Sequence, residues 1–393
     1  MNRKKDECMS IPTTLLWPKK TRSRQLFICF CFALLSIFPV FWSFYLGNGI
    51  LTYSRHKDIM AGQSSFYNPW QYRILSPLIA EGGMWVYNHT VNKVFPIEGN
   101  HHFVIKNTSG PNEKRDSFLE LLGNPDALKY FIVFIVFRFV EHFFIFFLAW
   151  RLWGAFVKSK WLLFFGLSFL SLAIGNAGDV ADLAFNTYLD IIFYLLTANL
   201  IIYKWNPAWL LLITPLAALN RETGMLIPYL YFISLTDFSQ LSVKTLNLRA
   251  IKFPPFKTWV FVGILYAIFF SIFIGLRIYY GYRPQQEWRV PAGWQMLKLN
   301  LFSPTGFKAY MELIGTFAVI PFIILYRFRY FPEILRKWFI LIVPIWFGVH
   351  YLSVVAYQTR LFLVPIIIIF IPMMLWLVEK DVIQRNTVTN EST

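Results

Sequence analysis

The sequence is short of charge. Of its 393 residues only 15% are Asp, Glu, Lys or Arg, against about 25% in a soluble domain. So little polar surface excludes a water-soluble globule of this length. Cysteine is scarce as well. Cys8 lies in a basic tail, and Cys29 and Cys31 lie in the first apolar run, so neither a disulfide framework nor a metal-ligand spacing follows. Acidic residues are outnumbered, 21 against 37 basic ones, and the net charge is +16. No internal repeat is visible, and no segment reads as a soluble domain.

What is present is apolar. Hydrophobic residues make up 56% of the chain and aromatics 20%, with 42 Phe. Lipid is the solvent that suits this composition. The basic residues sit mainly in short loops between apolar runs, a pattern of membrane topology and contact with anionic lipids rather than of nucleic-acid binding. The first apolar run, 25–45, is too long for a signal-peptide core and has no small-residue cleavage site, so it reads as a retained span.

A span needs roughly 20 apolar residues. Runs of that kind fall at about 26–47, 129–150, 161–175, 183–203, 258–280, 311–327, 338–356 and 361–378. Two shorter runs, 206–219 and 224–236, flank Asn220-Arg221-Glu222-Thr223-Gly224. The expected fold is an all-α polytopic membrane bundle, a single membrane domain with about eight full spans. A short two-helix hairpin and interfacial helices in a long first external loop, 48–128, complete it. Lys and Arg cluster in the N-terminal tail (1–25), around 151–160, at Lys204, over 244–257, over 327–337 and in the C-terminal tail (379–393). By the positive-inside rule these segments are cytoplasmic, as are both termini. The location expected is a bacterial inner membrane. The assignment closes only if the short pair around Asn220 enters and returns.

Ionisable groups inside a bilayer are costly and need a partner or a purpose. Arg138, Glu141 and His142 share one face of the second span by helical spacing. They are read as a buried structural cluster, with part of a polar cavity as the alternative. Asn186 and Asp190 share a face four residues apart. At 1.5 Å per residue Asp190 lies at a depth similar to that of Arg138, so an Asp190–Arg138 pair is within reach. At the hairpin tip Arg221 suits a phosphate through its planar fork, and Glu222 suits a base or the neutralisation of Arg221. Broken helices at membrane depth often build binding sites. Further candidates on the predicted outer side are His56, Asp58, Arg73, Glu81, Asp179, Asp182 and Arg360. The segment 281–310 adds Arg283, Arg289, Lys298 and Lys308, kept outside against the charge bias, where an anion or anionic lipid would hold them. Asn88-His89-Thr90 and Asn107-Thr108-Ser109 fit the glycosylation sequon.

In the order of its features the chain resembles the GT-C type of membrane glycosyltransferase: a cytoplasmic N-terminus, a long first external loop with interfacial helices, and an acidic residue in that loop. Tyr72-Arg73-Ile74-Leu75-Ser76-Pro77 and Asn220-Arg221-Glu222-Thr223 are similar to signatures in uncharacterised bacterial membrane proteins of this plan. The resemblance implies transfer of a sugar from a polyprenyl-phosphate carrier at the extracytoplasmic face. It implies that Asp58 deprotonates the acceptor or holds a metal. Asp58 stands alone between Lys57 and Ile59, and Asp179, Asp182 and Glu222 are alternatives for its role. Arg73, Asp179, Asp182, Arg221, Arg289 and Arg360 are the candidate substrate contacts. The cofactor is left open, with a divalent cation as the candidate, and membrane lipids are the expected partners. A lipid-linked polysaccharide polymerase, a transporter or flippase, and a non-catalytic multi-pass protein are the competing readings.

Overall fold

The computed structural model describes residues 21–45, 49–65, 67–97, 113–178, 185–238, 251–285 and 289–391. Among them the regular structure is helical, with no strand beyond one bridge between Asp237 and Lys252. The helices in chain order are α1 (Thr21–Tyr45), α2 (Gly49–Met60), α3 (Leu75–His89), α4 (Glu113–Gly123), α5 (Pro125–Trp153), α6 (Lys160–Ala177) and α7 (Phe185–Ile202). Then come α8 (Leu210–Asn220), α9 (Leu226–Leu235), α10 (Phe256–Tyr280), α11 (Trp294–Phe302), α12 (Pro304–Phe317), α13 (Ile320–Tyr326) and α14 (Glu333–Ser353). A last apolar segment, α15 (Thr359–Asp381), ends the bundle.

Local chemistry sets where these helices begin. Asn124 caps α5 by accepting from the Ala127 amide at 3.1 Å, and Pro125 occupies the first turn, where its missing N–H costs nothing. Ser159 caps α6 and Ser303 caps α12 in the same way. Glu379 supplies a longer-range cap. Its carboxylate accepts from the Lys158 and Ser159 amides at 2.7–3.0 Å, which ties α15 to the start of α6.

Among the described residues seven helices, α1, α5, α6, α7, α10, α14 and α15, are long and apolar enough to cross a membrane. They fit a multi-pass integral membrane protein. The sequence predicts one further full span over 311–327, and the pair α12 and α13 is apolar and long enough for it only when taken together. These two helices are bent by 76° at a short break. Ala318 takes a positive φ of 51° there, and Pro321 has no amide to carry the ladder across. Hydropathy is blind to both features, because the residues on either side are equally apolar.

Burial sorts the helices. In α7 and α15 about four-fifths of the apolar window is buried inside the protein (78% each), against 17% in α10. α7 and α15 therefore form the centre, and α10 turns its large side chains, such as Trp259 and Ile278, outward to lipid. α15 contains a widened π turn over Ile366–Phe370, which loosens the backbone ladder. Trp153 Nε1 donates to Ile367 O at 2.8 Å in that turn, and Trp346 Nε1 donates to Leu361 O at 2.7 Å just before it.

The long first loop folds into α2, α3 and α4, with α3 packed along α5. α8 and α9 form the short hairpin. Arg221 breaks it by adopting extended backbone (φ −163°, ψ 150°), and the turn Glu222–Met225 leads into α9. Gly224 lies so close to α8 that a Cβ would stand 2.9 Å from Ala217 Cβ and 3.0 Å from its carbonyl oxygen. The tip, the end of α10, the end of α14 and the start of α15 meet at one end of the bundle. Arg151, Lys158, Lys204, Lys257, Lys337 and Lys380 mark the other end.

Candidate functional site: an arginine-lined cavity

A cavity of about 470 Å³ opens at the first of these ends. The loop after α2 contributes Asn68, Trp70 and Arg73. The hairpin tip contributes Arg221, Glu222 and Thr223, and α10 contributes Phe273 and Arg277. The end of α14 and the approach to α15 contribute His350, Gln358 and Arg360. Four guanidinium groups thus converge on one space. Among the described residues two carboxylates oppose them, Glu222 in the wall and Asp190 buried behind the tip.

The hairpin tip is pinned to α7. Asn220 Nδ2 donates to Asn186 O at 2.7 Å, Tyr194 Oη donates to Thr223 O at 2.6 Å, and Thr223 Oγ1 donates to Asp190 Oδ2 at 2.7 Å. Arg221 Nη1 lies 3.9 Å from the same Asp190 oxygen and 3.4 Å from Thr187 Oγ1. Its Nε has no hydrogen-bond partner among the described residues. A buried guanidinium with a spare N–H is a polar group still short of an acceptor.

Glu222 is gripped from two sides. Arg73 donates to its Oε2 from Nε at 3.1 Å and from Nη2 at 2.6 Å, and Arg277 Nη2 stands 3.6 Å from its Oε1. Arg277 also lies over the rings of Phe273 (3.4 Å) and Tyr72 (4.5 Å), which fixes its plane by cation–π attraction. The loop carrying Arg73 is stapled to the end of α10: Tyr72 Oη donates to Gly281 O at 2.9 Å, Tyr67 Oη to Tyr280 O, and Asn68 Nδ2 to Arg283 O at 2.7 Å. Arg360, buried at the start of α15, donates from Nη2 to Gln358 Oε1 at 3.1 Å.

Of the residues singled out in the sequence, Arg73, Arg221, Glu222 and Arg360 line this one cavity, and Asp190 supports its floor. Asp58 is half-buried on α2 and is not among the lining residues. Arg289 is exposed and donates to Thr305 Oγ1 at 3.0 Å, away from the cavity. Asp179 and Asp182 lie outside the described residues. The anticipated Asp190–Arg138 pair does not form. Asp190 turns to Arg221 and Thr223, while Arg138 stays with Glu141 at 3.8 Å and Ser43 Oγ at 3.0 Å, packed on Phe185 and Tyr188. Equal depth did not put the two on facing sides. Arg138, Glu141 and His142 form a separate, fully buried cluster.

His56 and Glu81 sit beside the cavity. His56 Nε2 is 2.8 Å from Glu81 Oε1, and Tyr130 Oη donates to the same oxygen at 2.8 Å. Burial holds His56 below its ordinary 6.5. A small recess lined by His56, Trp70 and Arg73 adjoins the main space.

Arg277 and His350 escaped the sequence reading. Each lies in the last turn of a long apolar helix, where a lone basic residue looks like an interfacial anchor. Among the described residues no group of three or more His, Cys, Asp or Glu is arranged to hold a metal ion. Compared with known protein families, curated proteins and solved structures, the chain matches none.

Proposed function

We propose that the chain is an integral membrane glycosyltransferase that takes a sugar from a polyprenyl-phosphate carrier at the extracytoplasmic face. One observation carries this reading: Arg73, Arg221, Arg277 and Arg360 converge on a single cavity, and among the described residues two carboxylates oppose them, Glu222 and Asp190. Cations in excess, two of them buried and two partly shielded, call for an anion, and planar guanidinium forks match phosphate oxygens. The basic loops at the opposite end support placing the cavity outside and both termini inside. The large aromatic faces on the bundle exterior suit a long lipid tail in the surrounding bilayer.

In this reading the four arginines hold the carrier's phosphate. They favour the transition state as the bond from the anomeric carbon to phosphate oxygen breaks and charge builds on that oxygen. Glu222 keeps Arg73 and Arg277 in place. Its oxygens are already occupied by those arginines, which makes it an organiser of charge rather than a base.

The test uses the full-length protein in proteoliposomes with radiolabelled polyprenyl-phosphate sugars and membrane-derived acceptors. Wild type releases free lipid phosphate, and Arg277→Ala and Arg360→Ala lose at least about tenfold of that rate, the loss of roughly one charge-assisted contact. Passage of the intact lipid-linked sugar across the bilayer without release would replace the enzyme by a transporter.

A further inference from the structure

We infer that His350 is the group that accepts the proton of the attacking hydroxyl in this cavity; the inference rests on the glycosyl-transfer reading above. The ring is held in one orientation. Nδ1 lies 2.7 Å from Trp346 O, one turn back on α14. A carbonyl can only accept, so Nδ1 carries the proton and donates it. In the neutral ring this leaves Nε2 with its lone pair. The Trp346 ring stacks against the imidazole at 5.3 Å and Phe362 closes on it at 5.5 Å, so the ring cannot swing freely.

His350 lines the cavity with the four arginines, and Nε2 has no partner among the described residues. The competing bases are engaged. Glu222 accepts two hydrogen bonds from Arg73, and Asp190 is buried behind Thr223. Among the described side chains lining the cavity, the one neutral nitrogen base is this imidazole.

The acceptor hydroxyl gives its proton to His350 Nε2 while its oxygen bonds to the anomeric carbon. The bond from that carbon to phosphate oxygen breaks, and its electron pair leaves on the phosphate, where the arginines meet the added charge. The imidazolium then returns its proton to water.

The experiment treats the full-length protein in nanodiscs with diethyl pyrocarbonate, which acylates an open imidazole nitrogen, and reads each histidine by peptide mass spectrometry. Inorganic diphosphate serves as the probe for the cavity, and His89, exposed on α3, is the internal control. The expected result is labelling of His350 that saturating diphosphate slows about tenfold or more, with His89 unaffected. In the release assay His350→Asn, which can still donate to Trp346 O, should bind diphosphate as wild type does yet turn over about 10²–10⁴-fold more slowly. If diphosphate binds but His350 stays unlabelled while His89 reacts, or if His350→Asn turns over normally, His350 is not the base and the phosphate site still stands. If His350 is labelled but diphosphate neither binds nor protects, the phosphate site fails and this inference fails with it.

Discussion

Arg73 and Glu222 are 149 positions apart in the chain and share two hydrogen bonds, both to one carboxylate oxygen. This contact fastens the first long loop to the tip of the α8–α9 hairpin and makes one wall of the cavity from two remote segments. Both side chains are partly shielded, at 14% and 30% exposure, so the pair keeps more of its strength than a surface ion pair does.

A double-mutant cycle of Arg73→Met and Glu222→Gln should therefore give a coupling energy of about 1–2 kcal/mol, the range of a hydrogen-bonded charged pair. Reversible unfolding in detergent measures it. Additive single effects would mean that loop and tip are held by other contacts.

Gly224 tests how closely the tip must approach α8. In Gly224→Ala the new methyl meets Ala217, backbone as well as side chain, and neither can step aside. The tip must shift, and diphosphate affinity should fall about tenfold or more, a loss of about 1.4 kcal/mol. Gly348→Ala is the control. Nothing lies within 4 Å of its Cβ, and alanine in a helix interior is neutral to stabilising by up to about 1 kcal/mol.

Acid should weaken the first loop through His56. Burial lowers its affinity for a proton, Glu81 opposes this through its hydrogen bond and charge, and Lys57 adds to it. Between the folded value and the ordinary 6.5 the unfolded chain binds more protons, so stability rises with pH across that window and is lost as pH falls through it. Unfolding midpoints taken from about pH 5 to about pH 7.5 should climb in wild type and flatten in His56→Gln. An equal slope in both proteins would place the acid sensitivity elsewhere.

Arg277 separates charge from geometry. Arg277→Lys keeps the positive charge but loses the planar fork and the stacking on Phe273 and Tyr72. Diphosphate affinity, measured by calorimetry in nanodiscs, should fall about tenfold. Arg289→Ala, outside the cavity, should leave it unchanged. Equal losses in the two variants would indicate nonspecific electrostatic binding.

Much of this architecture was legible in the sequence because lipid imposes long apolar runs, and seven of them form helices of the expected kind. The hairpin was legible for a related reason: Asn220-Arg221-Glu222-Thr223-Gly224 interrupts two runs too short to be comfortable spans. The kink between α12 and α13 was not, since it depends on the backbone angle at Ala318 and not on hydropathy. At the site, Arg221, Glu222 and Arg360 stood out as charges amid apolar sequence. Arg277 and His350 did not, because a basic residue in a helix's last turn is common and only tertiary packing shows what it faces. Asp58 drew notice through its place in a resemblance, and the packing of α2 leaves it outside the cavity lining.

The central claim is that the arginine cavity holds the phosphate of a lipid carrier. Its most direct test is equilibrium binding of a short-chain polyprenyl phosphate to the full-length protein in nanodiscs, for wild type and for Arg277→Ala, Arg360→Ala and the double variant. The account predicts saturable binding that weakens about tenfold with each substitution and is displaced by inorganic diphosphate. Binding that is unchanged in the double variant, or that diphosphate cannot displace, would contradict it.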